Sequence, residues 1–235
     1  MTLLLALTTA PAMAWTILQN GDGAELSWAQ MPIPYAINPG NSQGLSTADV
    51  MGAVSGAMSA WANIEGASVA FSDQGQTPVE TIDYDEVNTI YFDSDWTMEP
   101  ELMAVTANWS YSDGTIVGFD IRINDRDHQW TTEGDLDEDD LQNMLTHEVG
   151  HSLGLDHTTM DEDATMFANA IPGETTKREP KSDDREGAQY LYGDGRSVDA
   201  TEEAAAGCST SGLAPRSSAI FLLAGVMLGW RRSDP

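Results

Sequence analysis

One segment, HEVGHSLGLDH at residues 147–157, constrains this chain more than any other part of its sequence. His147 and His151 are four residues apart, so on an α-helix both imidazoles lie on the same side and can bind one metal ion. Gly154 can adopt a positive φ, which lets the chain leave the helix sharply and bring back His157 as a third nitrogen ligand. Three protein ligands leave one coordination position open, as in catalytic zinc sites. The sequence therefore predicts a single zinc ion bound by His147, His151 and His157.

Glu148 follows the first of these histidines and is rotated from it by about a quarter turn of the helix. It can therefore reach a water molecule at the open position without binding the metal itself. We expect it to act as the general base for hydrolysis of a peptide bond and then to deliver a proton to the departing amine. The alternative, a charged helix end with solvated histidines, does not explain why the glycine and the third histidine arrive in register. The fourth histidine, His128, is expected to lie at the surface near the rim of the cleft.

The same residues resemble the signature of the metzincins, HExxHxxGxxH followed by a turn that contains methionine. Met166 stands nine residues after His157, in the sequence Ala-Thr-Met-Phe. The resemblance implies that Met166 forms a hydrophobic floor beneath the metal-binding histidines.

Within the metzincins the chain is similar to bacterial matrixins. The similarity lies in GFDIRIN at 118–124, DHQWT at 127–131 and DDREGAQYLYG at 183–193. It implies an α+β fold, a zincin catalytic domain with a twisted, mostly parallel sheet of five strands, three helices and the active-site helix under the sheet. It also allows for bound Ca²⁺, although the sequence does not identify the ligands.

The resemblance further implies that one strand borders the cleft and pairs with an extended polypeptide substrate. The residues of this strand are Ala104, Val105, Thr106, Ala107 and Asn108.

The pattern of the remaining sequence agrees with mixed α and β structure. Ser46 and Asp49 form a capping box before a helix whose apolar residues recur at helical spacing. A second helix is expected to begin near Asp137 and to carry the metal-binding motif, and a third is expected after Ser182. Five β-like runs are expected as strands: 34–38, 67–71, 88–92, 104–109 and 118–124.

Both ends of the chain differ from the middle. Residues 1–14 are interpreted as a signal peptide, which would place the domain at 15–193 outside the cytoplasm. Residues 194–212 are interpreted as a flexible linker and 213–235 as a sorting or membrane-anchor tail. The order Gly207-Cys208, apolar run and Arg-Arg resembles the C-terminal sorting tails of myxobacterial surface proteins, in which Gly-Cys is the processing or anchoring point. Any contact with a membrane is expected through this tail alone.

Composition narrows the choice of partners. The formal net charge of −28 argues against nucleic acid or anionic lipid, because both are bound through clusters of Lys and Arg. The chain has one cysteine, so it cannot form an internal disulfide. The charge says nothing about the reaction. The metal-binding motif, the resemblance and the interpretation of the two ends together predict a monomeric, secreted or surface-attached zinc endopeptidase that acts on polypeptides. Two alternatives stay open: a hydrolase of cell-wall peptides, and a surface binding or adhesion module with a structural zinc.

Overall fold

A computed structural model describes residues 15–194 and, for the backbone alone, 221–223 and 231–232. Its three helices are α1 (Thr47–Ala62), α2 (Leu141–Ser152) and α3 (Ser182–Tyr192), with a short 3-10 turn at Thr176–Arg178. The strands, in chain order, are β1 (Thr16–Ile17), β2 (Ser27–Trp28), β3 (Ile33–Asn38), β4 (Phe71–Gln76), β5 (Thr89–Asp93), β6 (Ala104–Ser110), β7 (Thr115–Asn124), β8 (Trp130–Thr131), β9 (Asp139–Asp140), β10 (Leu155–Asp156), β11 (Asn169–Ala170), β12 (Phe221–Leu223) and β13 (Arg231–Arg232).

The main sheet has the strand order β6-β7-β5-β3-β4. Four of these strands match the expected runs closely, whereas β4 shares only Phe71 with the expected strand at 67–71. Neighbouring strands run parallel from β4 to β7, whereas β6 runs antiparallel to β7. Two short strands extend the sheet: β2 pairs with β7, and β12 pairs with β6 at Asn108–Ser110. The expected mixed α/β fold with a mostly parallel sheet and three helices is confirmed. The antiparallel strand, β6, is the one that adjoins the active-site helix.

Helices α1 and α2 pack against each other and against one face of this sheet. Ser46 caps α1 as expected, because its hydroxyl accepts a hydrogen bond from the backbone N–H of Asp49 at 3.2 Å. Trp61 near the end of α1 is completely buried, and its indole N–H donates to the carbonyl of Thr146 in α2 at 2.7 Å. The apolar side chains of both helices and of the sheet form one large core, so α2 is held rigidly beneath the sheet.

Two elements begin later than the sequence pattern predicts. Strand β4 begins at Phe71 instead of residue 67, because the backbone around Ala67 and Ser68 bonds to Ile64 and to Tyr192 and not to the sheet. Helix α2 begins at Leu141 instead of Asp137. Asp139 and Asp140 form strand β9, which pairs with β8, and Asp140 caps α2 by accepting the N–H of Asn143 at 2.8 Å.

Within the part of the chain whose side chains are described, no helix has the length and apolar character needed to cross a membrane. The predicted signal peptide, linker and most of the predicted tail lie outside the described residues. They stay predictions.

Candidate active site

The end of α2 and the turn after it bring the three predicted metal ligands together. His147 and His151 lie on α2, which ends at Ser152. Gly154 then adopts a φ of +100°, and a side chain there would place Cβ 2.3 Å from the carbonyl oxygen of Leu26. Only glycine fits this turn. The chain returns as strand β10, which pairs with β1, and His157 follows directly.

The three imidazoles converge through their Nε2 atoms. The Nε2 atom of His157 lies 3.0 Å from that of His147 and 3.1 Å from that of His151. The Nδ1 atom of His147 is 2.7 Å from the carbonyl oxygen of Thr165, and the Nδ1 atom of His151 is 2.8 Å from that of Leu155. A carbonyl can only accept, so these two Nδ1 atoms carry the protons and the Nε2 lone pairs face one another.

This donor set fits a zinc ion. Neutral imidazole nitrogens are usual zinc ligands, and a carbonyl partner on the other ring nitrogen is the usual way in which a protein orients them. Burial, reinforced by the neighbouring histidines, lowers the pKa of His147 well below its ordinary value. Burial also lowers the pKa of His151, and burial together with His151 lowers that of His157 to about 3. All three side chains are therefore held in the neutral form that binds metal.

Met166, the residue predicted to form a floor beneath the metal-binding histidines, packs against the helix that carries two of them. Its side chain is buried, and it packs so closely on α2 that a Cβ at Gly150 would lie 2.3 Å from its sulfur. Gly150 stands between the two helical histidines in the sequence, so Met166 supports the stretch of helix that presents them. The turn itself is held by Asp184 of α3, whose carboxylate accepts the N–H groups of Thr165 and Met166 at 2.7 and 2.9 Å.

Glu148, which follows His147 on α2, is completely buried. Its Oε2 atom accepts a hydrogen bond from the hydroxyl of Thr106 at 2.6 Å. Its Oε1 atom is buried and has no hydrogen-bond partner among the described residues. Burial raises the pKa of Glu148 to about 7, although the Thr106 hydrogen bond acts in the opposite direction. A carboxylate whose pKa lies near neutrality is suited to accept and return a proton.

Strand β6 carries the five residues expected to bind substrate, Ala104 to Asn108. Along the described residues, Asn108 pairs with β12, and no strand pairs with the outer edge of Ala104–Ala107. The side chains of Thr106 and Asn108 point toward α2 instead of the cleft: Thr106 contacts Glu148, and Asn108 donates to the carbonyl of His151 at 3.0 Å. All five residues are buried, so their side chains offer little to a ligand, and what this edge can offer is mainly backbone.

The expectation for His128 was wrong. Its side chain is 2 % exposed, its Nδ1 atom lies 2.8 Å from the carboxylate of Asp139, and its Nε2 atom lies 3.0 Å from the carbonyl of Pro100. Both partners are acceptor oxygens within hydrogen-bond distance of the ring, so protein groups hold His128 in place and it can be buried without a metal. Gly207 and Cys208, the predicted processing or anchoring point, lie outside the described residues.

A family profile described as matrixin matches residues 27–193. The chain belongs to the matrixin family. It is 30 % identical to interstitial collagenase of Oryctolagus cuniculus over 186 residues, which are 78 % of this chain and 36 % of the collagenase. It is 36 % identical to matrilysin of Homo sapiens over 84 residues, which are 36 % of this chain and 30 % of matrilysin.

A shorter match joins this matrixin to a plant relative, metalloendoproteinase 5-MMP of Arabidopsis thaliana, with 52 % identity over 54 residues. These residues are 23 % of this chain and 14 % of the plant protein. The matched part of this chain therefore spans 36 % or less of the length of each of these three relatives.

Proposed function

We propose that this matrixin is a zinc-dependent endopeptidase that hydrolyses peptide bonds with Glu148 as general base. The observation that carries the proposal is the pairing of two features in one buried site. Three neutral histidine nitrogens converge on a point. The residue after the first of these histidines is a buried glutamate whose Oε1 atom has no hydrogen-bond partner among the described residues. A site that bound zinc for structural reasons alone would not need such a carboxylate.

Different residues of this chain would carry out different parts of the hydrolysis. A zinc ion on His147, His151 and His157 would polarise the scissile carbonyl and lower the pKa of a water molecule to about 7. Glu148 would take the proton of the attacking water on Oε1 and then pass a proton to the nitrogen of the leaving amine. Because Glu148 is buried, its charge is not screened by solvent, which strengthens its attraction for that proton.

The substrate class we propose is an extended polypeptide. The outer edge of Ala104–Ala107 offers backbone N–H and C=O groups that an added strand could pair with. Most of the hydrogen bonds would then go to the substrate backbone, so affinity would depend little on the side chains that flank the cleavage site. The segment after Met166, which includes strand β11, would border the primed side of the cleft.

We also propose that the protein acts outside the cytoplasm. This rests on the signal-peptide pattern at residues 1–14 and on the names of its relatives, which include an interstitial collagenase. If Gly207-Cys208 is a processing or anchoring point, the domain would be displayed at the cell surface through the tail. Labelling intact cells with an impermeant reagent would test this, because a cytoplasmic protein would stay unlabelled.

The decisive experiment compares wild type with Glu148→Gln, which keeps the shape of the side chain and removes its basicity. Both proteins should bind one zinc ion per chain, and the variant should cleave a quenched casein substrate about 100- to 10,000-fold more slowly, the range of general-base contributions. Glu65→Gln, an exposed glutamate, is the matched control and should retain full activity.

Other outcomes would reject the proposal. Zinc binding by a wild type that cleaves no protein would favour a binding module with a structural zinc. Cleavage of peptidoglycan peptides by a wild type that leaves casein intact would make it a cell-wall hydrolase.

A further inference from the structure

Thr106 connects the substrate-binding edge of the sheet to the general base. It lies in the middle of β6 and is paired with Ile121 of β7. Its hydroxyl oxygen is 2.6 Å from Oε2 of Glu148 and 3.1 Å from the backbone oxygen of the same residue. Both residues are buried, so bulk water does not compete for these contacts. A hydroxyl–carboxylate distance of 2.6 Å is typical of a charge-assisted hydrogen bond.

The two carboxylate oxygens of Glu148 differ as a result. Oε2 is engaged by Thr106, whereas Oε1 is buried and has no hydrogen-bond partner among the described residues. A free carboxylate would rotate and exchange its two oxygens. The hydroxyl removes that freedom, so that one defined oxygen is left to take a proton.

The hydroxyl can serve Glu148 in both of its protonation states. A threonine hydroxyl has one hydrogen to donate and two lone pairs that accept. When Glu148 is ionised, the hydroxyl donates to Oε2. When Oε1 has taken a proton, Oε2 is still an acceptor, so the hydroxyl can keep the same hydrogen bond. Neither residue needs to move.

The position of Thr106 adds a geometric consequence. It belongs to Ala104–Ala107, the edge that we propose pairs with the substrate backbone. Its β-branched side chain has few χ1 rotamers, so the hydroxyl stands at a fixed place relative to that edge. One residue thereby sets the distance between the bound peptide and the oxygen that accepts the proton. Small errors in such distances cost an enzyme much of its rate.

We propose that Thr106 is a positioning residue, whose hydroxyl holds Oε2 of Glu148 and so directs Oε1 to the attacking water. This rests on the proposed function, in which Glu148 is the base. Thr106 does not touch the reacting atoms itself and acts only through Glu148. A purely structural threonine, which merely satisfies a buried carboxylate, would affect stability and leave turnover unchanged.

The test compares two substitutions at this position in the zinc-loaded full chain. Thr106→Val keeps the β-branched shape and removes the hydroxyl. It should lower kcat about 10- to 100-fold, the range expected when a hydrogen bond to a charged group is lost, with KM and zinc content close to wild type. Thr106→Ser keeps the hydroxyl and should restore kcat to within a few-fold of wild type.

Thr89→Val is the matched control. Thr89 is a buried threonine of the same sheet whose hydroxyl has no hydrogen-bond partner among the described residues. The chemical change is identical, but it lies away from Glu148, so kcat should not change. A Thr106→Val enzyme with wild-type kcat would overturn the proposal, as would a Thr106→Ser enzyme as slow as Thr106→Val.

Crystal structures of the zinc-loaded wild type and Thr106→Val separate this proposal from the proposed function. In the variant, the carboxylate of Glu148 should rotate or occupy two conformers. An unchanged, singly ordered carboxylate would overturn the positioning role even if wild type proved to be a peptidase. Conversely, a wild type without peptidase activity would overturn the proposed function. The orientation of the Glu148 carboxylate in the two crystal structures would still test whether Thr106 positions it.

Discussion

Asp120 on β7 carries a carboxylate that is buried inside the sheet. It is 1 % exposed and accepts the backbone N–H groups of Thr89 at 2.8 Å and Asp83 at 3.1 Å. Burial raises the pKa of Asp120 to about 7, the charges of Asp85 and Asp83 act in the same direction, and the two amide donors oppose them. The protonated form is therefore favoured in the folded protein well above the pH at which an unfolded aspartate ionises.

This shift predicts a pH dependence of stability. Between about pH 4 and pH 7 the folded state binds more protons at Asp120 than the unfolded state does, so the free energy of unfolding falls as the pH rises. The stabilising contribution is complete below about pH 4 and is lost as the pH passes through 7. A rise of the pKa from about 4 to about 7 corresponds to an upper limit of about 4 kcal/mol. Asp120→Asn cannot ionise, so its stability relative to wild type should increase between pH 5 and pH 8.

Chemical denaturation of the zinc-loaded proteins at several pH values would measure this difference. Asp22→Asn, at an exposed position, controls for the loss of one negative charge. Stability curves of Asp120→Asn and wild type that stay parallel across this range would contradict the prediction.

Sequence reasoning identified the residues of this site whose partners are close in the chain. His147, Glu148 and His151 share one helix, and the fixed pitch of that helix makes their arrangement predictable. Thr106 is 42 residues before Glu148, and no periodic pattern links the two. His128 was misplaced for the same reason. Its burial depends on Asp139 and on the carbonyl of Pro100, which become its neighbours only in the folded chain.

At the scale of elements, α3 supports the metal site from a distance. Asp184 in its first turn is completely buried and accepts three backbone N–H groups, those of Thr165, Met166 and Lys181, at 2.7 to 2.9 Å. The carbonyl of Thr165 in turn accepts the Nδ1 proton of His147. A chain of hydrogen bonds therefore runs from α3 through the methionine turn to a metal ligand.

Breaking this chain at Asp184 should weaken both the fold and the metal site. Asp184→Asn replaces one acceptor oxygen by an NH₂ group that faces N–H donors. We expect a loss of about 2–5 kcal/mol in the free energy of unfolding and about tenfold weaker zinc binding, since groups that orient a ligand commonly contribute that much. Denaturation curves and competition with a chromophoric chelator would measure the two effects.

Asp183→Asn is the control for that experiment. The neighbouring carboxylate has one buried oxygen without a hydrogen-bond partner among the described residues. Burial raises the pKa of Asp183, as it does that of Asp184, and a side-chain hydrogen bond with Thr158 opposes the rise at Asp183. The N–H groups of Thr165 and Met166 bond to Asp184 and not to Asp183, so zinc affinity should be retained in Asp183→Asn. Equal zinc affinity in Asp184→Asn and Asp183→Asn would show that α3 does not support the ligand.

Helices and strands were predictable where apolar residues recur with one clear spacing, as in α1 with its cap at Ser46. The predicted start of α2 at Asp137 was wrong. It rested on the acidic run before the helix, because acidic residues are favourable in the first turn of a helix. Asp140 serves instead as the cap, and Arg178 forms a salt bridge with it, its Nε atom 2.8 Å from the carboxylate. Arg178 lies 38 residues further along the chain, so the cost of burying Asp140 is met by a partner that local patterns do not reveal.

At the scale of the whole molecule, the metal site joins parts of the chain that are far apart. His147 and His151 come from α2, His157 follows a strand paired with the first described residues, and Thr165 is tied to α3. The chain has one cysteine and a net charge of −28, so it has no internal disulfide, and its like charges repel one another in the compact state. Bound zinc would therefore act as the cross-link of the domain.

Removal of the metal should lower the thermal stability markedly. A ligand present at about 1,000 times its Kd stabilises the folded state by about 4 kcal/mol. For a domain of this size that corresponds to a fall in Tm of roughly 10 °C when a chelator is added.

His157→Ala removes one ligand and should show a much smaller chelator effect, whereas Glu148→Gln retains all three ligands and should show the full effect. Scanning calorimetry of the three proteins with and without chelator would measure this. An unchanged Tm of the wild type would mean that zinc does not hold the domain together, and an equal response of His157→Ala would remove His157 from the ligand set.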